Sequence, residues 1–210
     1  MSLRILLLAT FAVAAGVLLA TRPALATETP PYDVVRSWPD AELRRYGPTI
    51  VAETRVEGVR EDASTEGFRR LAGYIFGGNR ARASIDMTAP VGQTAAGERI
   101  AMTAPVGQVA EGNTWVVTFT MPSSWTLATL PIPNDSRVTL REVPGSLMLA
   151  RQYSGSWSEA SYTAEAAKLE TTLKREGLRP LGPPVWSRYD PPWTPTFLRR
   201  NEILVPVAEP

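Results

Sequence analysis

Two methionines, Met87 and Met102, occupy the same place in a duplicated heptapeptide. Met-Thr-Ala-Pro-Val-Gly-Gln runs from residue 87 to 93 and again from 102 to 108, fifteen positions later. A thioether is a weak metal ligand and an adaptable apolar surface. The pair is therefore either packing inside a hairpin or one wall of a ligand pocket. Arg69 and Arg70 follow Phe68 in a helical pattern. They are either a solvated helix face or a contact for a ligand carboxylate, which a guanidinium grips bidentately. Tyr74 is expected half-buried with its hydroxyl in water, or stacked on a flat ligand. The acids Asp62, Asp86, Glu98 and Asp190 form no recognisable acid–base pair, and no hydrolase is expected from them.

The residue types that are missing restrict the chemistry further. The 210 residues contain no His and no Cys. That removes Ser-His-Asp catalysis, imidazole-built zinc sites, His ligation of haem iron, thiolate nucleophiles and disulfides. No phosphate-binding loop, dinucleotide fingerprint, Ca loop or zinc pattern is present, and no metal site is expected.

The segment before the fold reads as an address. Arg4 precedes the apolar run Ile5 to Ala20, and Ala24-x-Ala26 follows, as in a secretory signal peptide cleaved after Ala26. The run is short for a membrane span, which needs roughly 20 residues. The expectation is an exported, periplasmic protein, membrane-anchored if the segment stays uncleaved. Loss of Arg4 and Arg22 leaves 20 basic residues against 21 acidic ones. That balance excludes the basic excess of a nucleic-acid binder. Residues 27–31 read as a linker, and 32–207 as one domain.

The elements that must position these residues follow from periodicity. Short strands are expected at Tyr32–Arg36, Ala41–Tyr46 and Ile50–Val56. A helix follows, with Phe68, Leu71, Ala72, Ile75 and Phe76 on one stripe, Ser64 or Thr65 at its start and Gly77-Gly78-Asn79 at its end. In the duplicated segment Ile85, Met87, Ala89 and Val91, then Ile100, Met102, Ala104 and Val106, alternate as in a strand hairpin with one face to the core. Trp115 to Met121 is the strongest strand, and Val138–Val143 and Leu147–Tyr153 flank Pro144-Gly145. A second helix covers Glu159 to Glu176, with Tyr162, Ala166, Leu169 and Leu173 on its stripe and Gly177 closing a Schellman motif through Leu178. Val185–Tyr189 and Asn201–Val207 are the last strands. A shift of 97 residues lays Leu43-Arg44 on Leu140-Arg141, Ile50-Val51 on Leu147-Met148 and Gly58 on Gly155, which suggests two similar halves. Such a sheet, curled and backed by two helices, buries both stripes.

Several segments together resemble the SOUL haem-binding family. They are Phe68-Arg-Arg-Leu-Ala-Gly-Tyr-Ile-Phe-Gly-Gly-Asn79, the two Met-Thr-Ala-Pro-Val copies, Met121-Pro-Ser-Ser124, Leu130-Pro-Ile-Pro-Asn-Asp135, Arg188-Tyr-Asp-Pro-Pro-Trp-Thr-Pro195 and Phe197-Leu-Arg-Arg-Asn-Glu202. The match spans Tyr32 to Val207 and looks most like the bacterial exported branch. The resemblance implies an α+β fold: a distorted antiparallel β-barrel of two similar halves flanked by two α-helices. It implies a non-enzymatic protein that binds haem or another tetrapyrrole reversibly in an apolar groove beside the first helix, as carrier or buffer. Arg69, Arg70, Tyr74, Ile75, Met87 and Met102 are the candidate groove residues. The alternatives are a binding module for another flat amphipathic molecule, or an envelope protein that binds a partner without haem.

Binding without an axial imidazole is energetically reasonable. Burying a few hundred Å² of porphyrin is worth roughly 10 kcal/mol gross at about 25 cal/mol per Å². Lost rotational and translational freedom takes back several kcal/mol. The remainder supports micromolar affinity. The weak iron ligands left to the chain are Met87, Met102, Met121, Met148 and Tyr74. Trp193 and Phe197 are expected to plug the core and fasten the tail, with Arg199 and Arg200 in local salt bridges.

Overall fold

The computed structural model describes residues 27–81 and 97–209. In chain order the elements are β1 (Tyr32–Ser37), β2 (Glu42–Tyr46), β3 (Thr49–Glu57), α1 (Arg60–Ile75), β4 (Asn79–Arg80), β5 (Val106–Glu111), β6 (Thr114–Thr120), β7 (Ile132–Pro133), β8 (Val138–Val143), β9 (Ser146–Tyr153), α2 (Glu159–Arg175), β10 (Val185–Arg188) and β11 (Asn201–Val207). Nine of these strands form one antiparallel sheet, ordered β1-β2-β9-β11-β10-β5-β6-β3-β8. The small strands β4 and β7 pair separately.

Connection lengths force that sheet to curl. Gly47-Pro48 alone joins β2, second in the order, to β3, eighth. Pro144-Gly145 alone joins β8, ninth, to β9, third. Strands lie about 4.8 Å apart, so a flat sheet would separate each pair by about 29 Å. Two residues reach only about 11 Å. The result is a curled half-barrel in an α+β fold with two helices, as expected from the sequence. The order is also palindromic. Reading from either end of β2 to β8, each strand meets its counterpart under the pairs β2/β8, β9/β3, β11/β6 and β10/β5.

Both helices cover the same, outer face. Ala52, Val117, Phe119 and Val138 meet Leu71, Tyr74 and Ile75 of α1 in one core cluster. Leu147, Leu149, Ile203 and Val205 meet Leu169 and Leu173 of α2 in the other. Residues alternating with these point to the inside of the curl. The helix α1 lies close to β6 because Gly67 has no side chain: a Cβ there would sit 2.5 Å from a Val117 methyl. Both helices end in a Schellman motif. Gly78 N–H donates to Gly73 O and Leu178 N–H to Leu173 O, with Gly77 and Gly177 at positive φ.

Several local expectations are corrected. The helix α1 starts at Arg60, not at Ser64 or Thr65, and Val59 caps it without a side-chain bond. Thr65 instead bonds back to Glu61 O, and Ser64 accepts from Arg188. The buried residues are Ala63, Ser64, Gly67, Leu71, Tyr74 and Ile75; Phe68, at the margin of the stripe and 39% exposed, sets its ring edge-on against Phe119 at 5.4 Å, and Phe76 faces outward. Small residues at 63, 64 and 67 let the backbone approach the sheet, so the expected Leu71 and Ile75 are sealed while Phe76 is left outside. On α2 the expected Tyr162, Leu169 and Leu173 are buried.

The first heptapeptide copy lies outside the described residues. The second is no alternating strand: β5 begins only at Val106, and Met102 is 41% exposed. Ile100 N–H bonds to Ile75 O and Thr103 bridges Glu28, so these residues are held by single contacts rather than by a ladder. Glu28 also accepts from Ser123 N–H, which ties down the segment expected to be a linker.

The tail differs from its expectation too. Trp193 and Phe197 are 82% and 74% exposed. The loop is fastened instead by Arg199, which donates to Thr194 O and Pro192 O and stacks on Trp157 at 4.1 Å. Arg200 does form a local ion pair, with Glu202 at 2.7 Å.

Candidate functional site

A cleft of about 250 Å³ opens along the exposed flank of α1. Its walls are Arg69, Arg70, Gly73 and Tyr74 of the helix, Gly78 just after it, and Asn134, Asp135 and Arg137 from the β7–β8 connection. The helix supplies the arginines at consecutive positions, so they diverge around its circumference. Arg69 extends into solvent and Arg70 folds against β3, donating to Arg55 O at 3.0 Å. Between them and the helix end, Gly73 leaves bare backbone, with nothing within 4 Å of the position a Cβ would take. Phe76 stands exposed beyond it. Gly78 O accepts from Asn134 N–H, which fixes the second wall against the first.

The electrostatics of the cleft favour an anion, moderately. Glu66 pairs with both Arg69 and Arg70, and Asp135 grips Arg137 through two bonds of 2.9 and 2.8 Å. Three guanidinium groups thus face two carboxylates. Hydrogen bonds from Arg69 and Arg70 hold Glu66 below the usual carboxylate range. Bonds from the Arg137 side chain and then its backbone N–H pull Asp135 down to about 2. Asp135 therefore stays ionised and competes with any ligand carboxylate for Arg137.

The structure brings Arg69, Arg70 and Tyr74 together and separates the other candidates. Tyr74 is 2% exposed, and its hydroxyl donates to Pro131 O at 2.9 Å rather than standing in water. It forms the base of the cleft, not a stacking surface. Ile75 points into the core cluster. Met102 is exposed outside the cleft lining, and Met87 lies outside the described residues. Met121 is buried in the core and Met148 lies on the inner face of the sheet. Sequence reasoning missed Gly73, Asp135 and Arg137. Asp135-x-Arg137 carries a legible signal, since Asp135 Oδ1 accepts from Arg137 N–H in an Asx turn.

The lining offers bare backbone at Gly73 with guanidinium groups at its edge. An imidazole-ligated iron does not fit, because the chain has no His. Among the described residues no group of three or more acids is placed to hold a metal ion, and no helix is long and apolar enough to cross a membrane.

The family model described as SOUL heme-binding protein matches residues 27–206. The chain belongs to the SOUL heme-binding protein family. Curated relatives agree: heme-binding protein 1 of Xenopus laevis is 29% identical over 163 residues, covering 77% of this chain and 80% of its own length. Heme-binding protein 1 of Mus musculus is 28% identical, covering 68% of this chain and 70% of its own. Haem binding thus has support at the level of the family, and the family points to binding rather than catalysis. Among solved structures, the EcmrR C-terminal domain superposes with a TM-score of 0.56 at 12% identity, covering 85% of this chain and 99% of that one. A hydrolase from Listeria innocua gives 0.52 at 14%, covering 83% and 94%. These two share the fold and carry nothing further.

Proposed function

We propose that this protein binds haem or another tetrapyrrole reversibly along the α1 flank, by surface contact and charge rather than by iron ligation. The observation that carries the reading is the conjunction of three guanidinium groups around bare helix backbone at Gly73 in a chain without His. The macrocycle face lies on Gly73 and Phe76, and its propionates meet Arg69 and Arg137, with Arg70 behind. Family membership supports the ligand class. A binding protein that recognises the ring and its carboxylates suits a carrier or buffer, outside the inner membrane once residues 1–26 are removed.

The test is a paired absorbance and fluorescence titration of the purified protein with haemin and with iron-free protoporphyrin IX. The reading requires saturable binding of both at micromolar concentration with affinities within about threefold, since the ring and not the metal is recognised. Preference for haemin by two orders of magnitude overturns ligation-free binding, and absence of saturation with either overturns the function.

A further inference from the structure

Inside the curl, the middle of the sheet carries only small side chains. Ser187 of β10 pairs with Gly107 of β5, and Gly107 with Thr118 of β6, so the three stand side by side in one register row. They face inward, because Trp186, Val106, Val117 and Phe119, next to them in sequence, pack beneath the helices. The row is tightly drawn together: a Cβ on Gly107 would sit 2.5 Å from Thr118 Oγ1. The space that bulkier residues would fill is a cavity of about 180 Å³. Its apolar walls come from elsewhere in the sheet, from Val143 of β8, Met148 of β9, Val185 of β10 and Leu204 of β11. Apolar walls with a few hydroxyls are the usual make-up of a small-molecule site.

Charge and hydrogen bonding decide what suits it. No charged side chain lines the cavity. The register row does run into a carboxylate on each side, Glu202 beside Ser187 and Glu53 beside Thr118. Both are already committed: Glu202 accepts from Arg44 and Arg200, and Glu53 from Arg55 and Arg141. Tyr46, also in the lining, stays a neutral phenol, since burial above all pushes its pKa up to about 12. A charged guest would thus leave water and meet no free counter-charge, which disfavours either sign. One polar group is left over. Ser187 is 3% exposed, and its hydroxyl has no hydrogen-bond partner among the described residues. A buried hydroxyl without a partner is a standing cost that a guest oxygen relieves. Size sets the last limit. A void of about 150 Å³ holds a benzene, so this cavity suits a single ring with a short substituent and is far too small for a tetrapyrrole.

We propose that the inside of the curl is a second ligand site, separate from the α1 cleft, for a compact uncharged molecule: one apolar ring carrying a hydroxyl or carbonyl. The ring lies on Met148, Val185 and Leu204, and the oxygen pairs with Ser187. The proposal does not rest on tetrapyrrole binding and survives its failure.

Benzyl alcohol, benzoate and benzylamine share one shape and differ in charge at pH 7, so they make the probe set. The readout is NMR of the purified protein with methyl-labelled methionine, the Met148 signal being identified by its loss in Met148→Leu. That signal is expected to shift saturably with benzyl alcohol, with benzoate and benzylamine each at least about tenfold weaker. Ser187→Ala should lower benzyl alcohol affinity about threefold or more while leaving toluene within about twofold, because only the alcohol uses the hydroxyl. Filling the cavity with Val185→Trp should abolish the shift; where that variant fails to give a cooperative melt, Leu204→Phe takes its place. Saturating protoporphyrin IX should leave the alcohol titration unchanged. An unmoved Met148 signal, equal affinities across the three charges, equal loss of alcohol and toluene in Ser187→Ala, or displacement by protoporphyrin IX overturns the proposal.

Discussion

The two helices are built alike and finish differently. Each buries one stripe on the outer face of the sheet and ends in a Schellman motif at a positive-φ glycine. Matching Leu71 with Leu169 and Ile75 with Leu173 sets Arg69 against Ala167, Arg70 against Lys168 and Gly73 against Thr171. Tyr74, bonded to Pro131 O, falls against Thr172, bonded to Asp40 Oδ2. On α2, Lys168 is neutralised by Glu165, which also holds Arg151, and the Trp38–Asp40 turn lies against the helix. Shared packing therefore makes a shared scaffold, and a handful of flank residues makes only the α1 side a basic cleft.

Truncation of the matched leucines probes the shared part and carries the largest effect. Leu71→Ala and Leu169→Ala should each cost about 2–5 kcal/mol in chemical denaturation, because both side chains are sealed in a core cluster. A cost below about 1 kcal/mol at either position breaks the equivalence. The ligand comparison comes next. Arg137→Glu should weaken protoporphyrin IX by about tenfold, while Lys168→Glu on the matching flank changes nothing. Equal effects would remove the distinction between the flanks. A gain is expected from Asp135→Asn, which frees Arg137 from its bidentate partner: affinity should rise about two- to fivefold at low salt and less at high salt.

The smallest effect concerns pH. Asp135 titrates near 2 in the fold, below its ordinary 3.8, because Arg137 bonds its charged form. Its contribution is therefore present above about pH 4 and is lost as pH falls towards 2. The Asp is half-buried in contact with solvent, so the loss is modest, and Asp135→Asn should abolish only the steepest acid part of a Tm-against-pH curve. A curve for the variant that parallels the parent from pH 4 to 2 would remove this assignment.

The sheet and α2 were legible in the sequence because burial and periodicity coincide there. Alternation at Trp115 to Met121 and the stripe Tyr162, Leu169, Leu173 report single-sided packing. The helix α1 was legible in face more than in extent: Leu71 and Ile75 of the expected stripe are buried, but the helix begins at Arg60, a turn before Ser64. Its close approach to β6 is made at Gly67, which a hydrophobic pattern does not register, with Phe68 packed on Phe119 beside it, while Phe76 stays outside. The tail failed for a related reason: bulk suggested a core plug at Trp193, whereas the loop is pinned by Arg199 on carbonyls and an indole. Of the site, Arg69 and Arg70 could be read from adjacency to the helix, but Asp135 and Arg137 lie 65 positions later and meet them only through the curl.

The tiny Gly47-Pro48 and Pro144-Gly145 turns also interlock the chain. Strand β2 pairs with β9, and β3 with β8, so each half of the polypeptide lends a strand to the other. Neither half can complete its own ladder in isolation. A backbone nick between the exposed residues Ala128 and Thr129 should thus give two fragments that are individually unstructured yet reassemble on mixing, so the nascent amino-terminal half stays incomplete until the last strands have been synthesised.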